Sequence, residues 1–222
     1  ATSGAARLPL ETIEAIRERF GVTLGEGYGL TEASPIVTTS TGHDPRPGSI
    51  GVPLPGMEIR LVDESGDDAL VGDAGEIWVR GPNVFQGYWN DRQATRSALT
   101  EDGWLRTGDL AVVDDDGYLF LVDRMKDLII VSGFNVYPAE VEEVLLAHPA
   151  VAECAVIGVA HPGTGEAVKA YVVAADGPRP DAEELQSFVA TRLARYKCPG
   201  EVAFVDSLPQ NASGKVLRRE LR

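Results

Sequence analysis

Apolar positions near the start of the chain recur at helical spacing. Leu10, Ile13, Ile16 and Phe20 share one face, Glu11, Glu14, Arg17 and Glu18 take the other, and Gly21 follows as a stop. This predicts an amphipathic helix over 10–20. Gly25 to Glu32, GEGYGLTE, reads as a glycine-rich turn. From Gly48 to Arg80 the pattern is that of strands. Met57, Ile59 and Leu61 alternate with Glu58, Arg60 and Val62, and Ile77 and Val79 alternate with Glu76, Trp78 and Arg80. The cluster DESGDD marks a turn among them, and Gly117 opens a further strand, Tyr118 to Val122.

The second half mixes strands with helices. A charged cluster, Asp123, Arg124, Lys126 and Asp127, stands directly before an apolar strand, Leu128 to Val131. Charges held that close to a buried strand are costly unless they pair or bind something. A glycine turn follows. Pro138 then suits a first helical turn, and AEVEEVLLAH continues the helix. Val151 to Val159 and Ala167 to Ala174 are apolar runs, and Asp181 suits the cap of a helix from Ala182 to about Arg195. A short strand, Val202 to Val205, leads to the loop Leu208 to Lys215, and the basic last stretch reads as a terminal helix. Strands mixed with crossover helices over roughly 100 residues predict a compact α+β domain.

Composition narrows the class. At 222 residues the chain holds one large domain or two small ones, and 44% hydrophobic residues mark it as globular. Its formal net charge is −14, from 34 acidic and 20 basic residues. That argues against nucleic acid or an anionic membrane surface as the main partner, but not against a nucleotide, which needs only a few local donors. Two cysteines, Cys154 and Cys198, fit a reducing cytoplasm better than a disulfide framework. His43, His148 and His161 form no spaced Cys/His metal pattern. No apolar run reaches membrane-spanning length, and no signal peptide is visible. The opening ATSGAARLP has no initiator methionine, which reads as processing or as a piece of a longer protein.

Four places carry candidate chemistry, and each also has a plain structural reading. In the turn around Tyr28, Gly27 and Gly29 permit close backbone approach, Thr31 can donate to a phosphate, Glu32 can hold a hard cation, and Tyr28 can stack on a base. The segment is otherwise a turn with a buried tyrosine. Asp109, in WLRTGD, offers acceptors for the two hydroxyls of a ribose, or is simply the residue after a glycine in a turn. Arg124 can reach a ribose or phosphate, or pair with Asp123 at the surface. Lys215 can place a point charge on a phosphate, or begin a solvated basic helix.

Order and spacing decide what single motifs do not. SGAA at Ser3 to Ala6, YGLTE at Tyr28, GEIWVRGPNVFQGYW from Gly75, WLRTGD at Trp104, DRMKDLIIVSGFNVYP at Asp123 and NASGK at Asn211 together resemble the adenylate-forming superfamily. Within it the chain is most similar to the fatty acyl-CoA synthetases, and the resemblance runs through essentially its whole length. It implies an α/β and α+β architecture. Residues 1–123 would be the β-rich C-terminal part of the large adenylate-binding domain, and 124–222 the small mobile α+β domain.

The resemblance also implies a reaction. A carboxylic acid is activated with ATP to an acyl-adenylate, and the acyl group passes to coenzyme A. By motif match, Gly4, Ala5 and Ala6 would line the adenine pocket, with Tyr28 and Gly29 at the base. Thr31 would meet the α-phosphate, Glu32 would bind Mg²⁺, and Asp109 and Arg124 would hold the ribose. Asn135 would stand near the nucleotide, where many relatives carry glutamine or arginine. Lys215 would stabilise charge on the α-phosphate. Lys126 would be the hinge, and Ser132, Gly133 and Phe134 the face offered to coenzyme A, with Gly133 small so that thiol and backbone can pass. The family's phosphate loop lies upstream of SGAA, so the 222-residue chain alone is expected to have no ligase activity. Apolar residues after the glutamate, Ala33 to Val37, favour an alkyl or aryl acid. An adenylation domain serving a carrier protein, or a non-catalytic nucleotide-binding module, are the alternatives.

Overall fold

The alternating stretches of the first half become antiparallel strands, and the mixed second half becomes a sheet covered by helices. A computed structural model describes residues 2–3, 10–44, 46–212 and 214–222. Two compact units meet between Met125 and Lys126. The sequence places the division two residues earlier.

Among its described residues, the first unit holds two four-stranded sheets. In one, β1 (Thr2–Ser3) pairs in parallel with β2 (Gly25–Gly29), which is followed by β3 (Ile36–Thr39) and β4 (Val52–Pro53). The helix α1 (Leu10–Phe20) connects β1 to β2. The other sheet is an antiparallel meander of β5 (Glu58–Val62), β6 (Gly75–Arg80), β7 (Leu105–Val113) and β8 (Leu119–Arg124). Val37, Ile50, Ile77, Val79, Leu105 and Leu119 belong to the shared core. Backbone bonds stitch the sheets together: the Ile50 amide donates to the Leu119 carbonyl, and the Leu119 amide to that of Gly51. Gly51 has a φ of 86°, and a Cβ there would collide with the backbone of Thr39, so only glycine fits.

The second unit is built on one five-stranded sheet. Its strands are β9 (Ile129–Val131), β10 (Phe134–Val136), β11 (Val151–His161), β12 (Gly165–Ala174) and β13 (Glu201–Phe204). The order is β10-β9-β12-β11, and β13 pairs in parallel with β12. The helices α3 (Pro138–Leu146) and α4 (Ala182–Ala190) start as their sequences predict. Pro138 is in the first turn of α3, and the Asp181 carboxylate accepts from the Glu184 amide at 2.7 Å. Val141, Leu145, Leu185 and Val189 are fully buried against Val136, Val156 and Ala170 of the sheet.

Three local expectations change, and one helix is new. Gly25 to Gly29 is a strand, not a turn, because β1 and β3 pair with its two edges. Helix α4 ends at Ala190, short of Arg195, where the Thr191 hydroxyl and the Arg192 guanidinium both bond the Phe188 carbonyl and compete with the helical ladder. The basic last stretch forms one 3₁₀ turn, Arg218–Glu220, instead of a helix. The helix α2 (Arg92–Ala98) has no apolar stripe to announce it, and its signal is the Asp91 cap, which accepts from the Ala94 amide.

Leu145 packs where helix meets sheet and has no exposed surface. Leu145→Ala should therefore cost about 2–5 kcal/mol, read as a lower urea midpoint with an unchanged slope.

Candidate active site

Glycines shape the ground on which Tyr28 stands. A Cβ on Gly29 would overlap the Pro35 carbonyl oxygen, and one on Gly27 would lie 2.9 Å from the Thr38 carbonyl oxygen. Tyr28 is buried between them, and its hydroxyl donates to Asp109 Oδ2 at 2.7 Å. A 3₁₀ turn, Thr31–Ala33, follows at once, closed by Ser34 in the left-handed region and by the Leu30 amide on the Pro35 carbonyl. It leaves Thr31 exposed and Glu32 half-buried.

Asp109 lies within β7 and not in a turn. The turn-like reading of TGD has a cause, since Gly108 has a φ of 72° and the β6–β7 register shifts between Glu76 and Trp78. Such bulges re-aim the side chains beside them. Thr107 fixes the bulge by donating to the Ile77 carbonyl at 2.7 Å and accepting from the Asp109 amide at 3.1 Å. Glu76 accepts from the Gly108 amide at 2.9 Å and from the Trp78 indole at 2.6 Å. Directly across on β8, Arg124 is paired in register with Asp109, and its Nε lies 3.0 Å from Asp109 Oδ1. Arg124 therefore pairs with Asp109, not as an Asp123–Arg124 surface pair. The Asp109 carboxylate engages Tyr28 through one oxygen and Arg124 through the other. A carboxylate has about four lone-pair positions, so acceptor capacity remains for a ligand's hydroxyls.

The residue that sequence reasoning passed over is Tyr88. Its hydroxyl donates to Glu32 Oε1 at 2.9 Å, its ring meets Phe85 edge-on at 4.9 Å, and the Phe85 amide donates to the Glu32 carbonyl at 2.8 Å. The motif containing Tyr88 is visible in the sequence, but nothing local ties it to Glu32. Burial, and then the neighbouring Glu32 carboxylate, raise the Tyr88 phenol above its usual pKa. Burial, and then the Asp109 charge, push the Tyr28 phenol up strongly. Among the described residues no group of three acidic, histidine or cysteine side chains is assembled for a metal.

The second unit carries the other predicted residues. Ser132 and Gly133, with φ of 52° and 83°, form the two-residue turn between β9 and β10 that matches strand twist. A Cβ on Gly133 would meet nothing within 4 Å. Glycine there answers to backbone conformation, and no close approach within the chain requires it. Phe134 is half-exposed and stacks on Tyr196 at 4.7 Å, while Asn135 sits half-buried in β10 opposite Ile130. Lys126 is exposed in a 3₁₀ turn, Met125–Asp127. Lys215 is exposed on a hairpin that is tight rather than loose. The Lys215 amide donates to Asn211 Oδ1 at 2.9 Å, and the Asn211 amide to the Lys215 carbonyl at 3.0 Å. Gly4, Ala5 and Ala6, and Ser213 of the hairpin, lie outside the described residues.

The family models match both parts of the chain. Residues 1–89 match the AMP-binding enzyme model, and residues 140–215 match the AMP-binding enzyme C-terminal domain. The chain belongs to the AMP-binding enzyme family. A long-chain-fatty-acid–CoA ligase of Yersinia pestis is 50% identical over 215 residues, covering 94% of this chain and 38% of the relative. A feruloyl-CoA synthase of an Amycolatopsis species is 47% identical, with 99% and 45% covered. Among solved structures, ATP-bound MatB from Rhodopseudomonas palustris matches with a TM-score of 0.94 at 42% identity, covering all of this chain and 44% of its own. Bacillus subtilis o-succinylbenzoate CoA synthetase, in complex with the acyl-adenylate OSB-AMP, matches with a TM-score of 0.88 at 40% identity, covering 100% and 45%. This AMP-binding enzyme chain thus spans well under half the length of these relatives.

Two tests address the tyrosine cluster. The Tyr28 phenol is held above the ordinary tyrosine value of 10.0, so above about pH 10 the unfolded chain releases a proton that the folded one keeps. Stability should fall as pH rises past that point. Y28F should flatten the fall, measured as denaturation midpoints between about pH 9 and about pH 11, after a neutral-pH loss of about 1 kcal/mol for the missing hydrogen bond. Separately, Gly29→Ala should destabilise by more than about 2 kcal/mol, because the clash is with backbone that cannot step aside. Calorimetry would measure it.

Proposed function

We propose that this chain carries the nucleotide-handling and acyl-transfer parts of an ATP-dependent acid–thiol ligase of the fatty or related acyl-CoA type. The observation that supports it best is the Asp109 carboxylate, ordered by Tyr28 and Arg124 with acceptor capacity remaining. That is chemistry suited to a ribose diol. Relatives named for ligation of fatty and aromatic acids to coenzyme A favour the thiol acceptor over a carrier protein.

In the first step a carboxylate oxygen of the acid attacks the α-phosphorus of ATP. A phosphorus–oxygen bond forms, the α–β anhydride breaks, and pyrophosphate leaves. Asp109 and Arg124 position the ribose, and Tyr28, Gly29 and the segment Gly4 to Ala6 hold the base, with Asn135 close to the nucleotide. Thr31 donates to the α-phosphate. Lys215 stabilises the charge that grows on that phosphate in the transition state. Magnesium, when bound, supplies charge neutralisation at the phosphates. Glu32 fits it, since such ions are usually held by one or two carboxylates together with substrate phosphates, and Tyr88 steadies the carboxylate through one oxygen.

In the second step the thiolate of coenzyme A attacks the acyl carbonyl. A carbon–sulfur bond forms, the mixed anhydride breaks, and AMP leaves. Ser132, Gly133 and Phe134 present the face for coenzyme A, and Lys126 is the pivot that exchanges Lys215 for that face. The two unit folds thus serve as the tail of the adenylate-binding domain and as the mobile domain. The two free thiols fit a reducing, cytoplasmic site of action, and no described helix is long and apolar enough to cross a membrane.

The full-length protein should exchange pyrophosphate into ATP only when an acid is present, and should then form acyl-CoA. Exchange without coenzyme A transfer would point to carrier loading, and no exchange with any acid would overturn the ligase reading. Lys215→Ala should cut exchange on the order of 10²-fold or more while transfer from preformed acyl-adenylate changes far less. Equal losses in both steps would remove Lys215 from its proposed role.

A further inference from the structure

The last turn of the chain is fastened to the first residues of its own unit. Arg218 sends a two-pronged fork to Glu142 on α3: Nε donates to Oε1 at 3.3 Å, and Nη2 donates to Oε1 at 2.8 Å and to Oε2 at 2.7 Å. Its Nη1 also lies 3.8 Å from Asp127 Oδ2. Arg222 Nη2 donates to Asp127 Oδ1 and to the Lys126 carbonyl, both at 3.1 Å. Asp127 is only 7% exposed, and Glu142 further accepts from the Val156 amide at 2.8 Å. Carboxylates this well withdrawn from water need such partners, and a guanidinium fork fixes direction as well as charge. These contacts also explain why the basic tail does not continue as a helix.

The fastened tail is the base of the Lys215 hairpin. Two residues separate Lys215 from Arg218, Gln210 bridges to Val216, and the Leu217 amide donates to the Pro209 carbonyl at 2.8 Å. We propose that Arg218 and Arg222 are positioning residues for Lys215, locking its hairpin to Lys126 and Asp127 so that hairpin and pivot turn as one body. The proposal rests on the reading that Lys215 acts in adenylation. If the pivot turned without carrying the hairpin, the lysine would arrive out of place, and an error of about 1 Å can cost on the order of 10²-fold in rate.

The test uses the full-length protein. Arg218→Ala should lower acid-dependent ATP–pyrophosphate exchange by at least about tenfold while leaving transfer from preformed acyl-adenylate within about twofold, and Arg218→Lys, which keeps charge but not the fork, should recover part of the loss. In a Lys215→Ala background, Arg218→Ala should cause no further loss of exchange. Losses that multiply, or that strike both half-reactions equally, would overturn the positioning role. Hydrogen exchange reads the clamp independently of catalysis: in Arg218→Ala the amides of Gly214, Lys215 and Leu217 should exchange faster, with those of β12 unchanged. Unaltered exchange there overturns the clamp whatever Lys215 does. A Lys215→Ala enzyme with full exchange activity would instead overturn the adenylation role, leaving the amide measurement to judge the clamp. Should Arg218→Ala fail to fold, Arg222→Ala, whose side chain is 45% exposed, carries the same expectations.

Discussion

A carboxylate that is largely withdrawn from water has to be answered by donors, and in the first unit Asp109 is that carboxylate. Its side chain is 13% exposed. One donor, Tyr28, comes from the sheet of β1 to β4, and the other, Arg124, from the neighbouring strand of the meander. Removing a donor would leave the Asp109 carboxylate short of a partner in a poorly solvated place, a loss of about 1–3 kcal/mol. The pairing also pins register. A one-residue slip of β8 would turn Arg124 to the opposite face, and the bulge at Gly108 would then aim Asp109 at nothing useful. The Tyr28–Asp109 bond, one of those that join the two sheets, thus also orders the proposed ribose contact.

Where a local rule decides structure, the sequence shows it. The period-two alternation of β5 and β6, Pro138 opening α3 and Asp181 capping α4 all express forces that act within a few residues. Strand β2 is the contrary case. Its three glycines, Gly25, Gly27 and Gly29, argue for a turn by propensity, and it is a strand only because β1 and β3 pair with it. The tail fails for a similar reason, since acidic partners as distant as Glu142 and Asp127 draw its arginines away from a helix.

The site divides along the same line. Tyr28, Asp109, Arg124 and Lys215 are recognisable as an ordered set of motifs, and the structure brings the first three together. The bond from Tyr88 to Glu32 spans 56 residues, and no local pattern could assign it. For Gly133 the sequence suggests small size for passage of a ligand, and the structure adds a second, local reason, since the positive φ of a two-residue hairpin turn favours glycine.

Net charge sets a further condition on how such a protein can act. At −14 the chain as a whole repels a polyanionic nucleotide, so attraction has to be short-range and preorganised. Among the described residues, several cations are committed to fixed structural partners: Arg124 to Asp109, Lys197 to Glu140, and Arg218 to Glu142. Only interactions that strengthen in the transition state accelerate a chemical step. A cation fixed permanently beside the ribose contact would favour ground state and transition state alike. Lys215 is carried by the second compact unit, exposed on a hairpin that Asn211 closes with bonds to its backbone. On the proposed reading, charge is then delivered when the acid attacks the phosphate and withdrawn when the thiol attacks the carbonyl. That timing is accurate only if the hairpin cannot drift relative to the pivot, and the two tail arginines supply that rigidity.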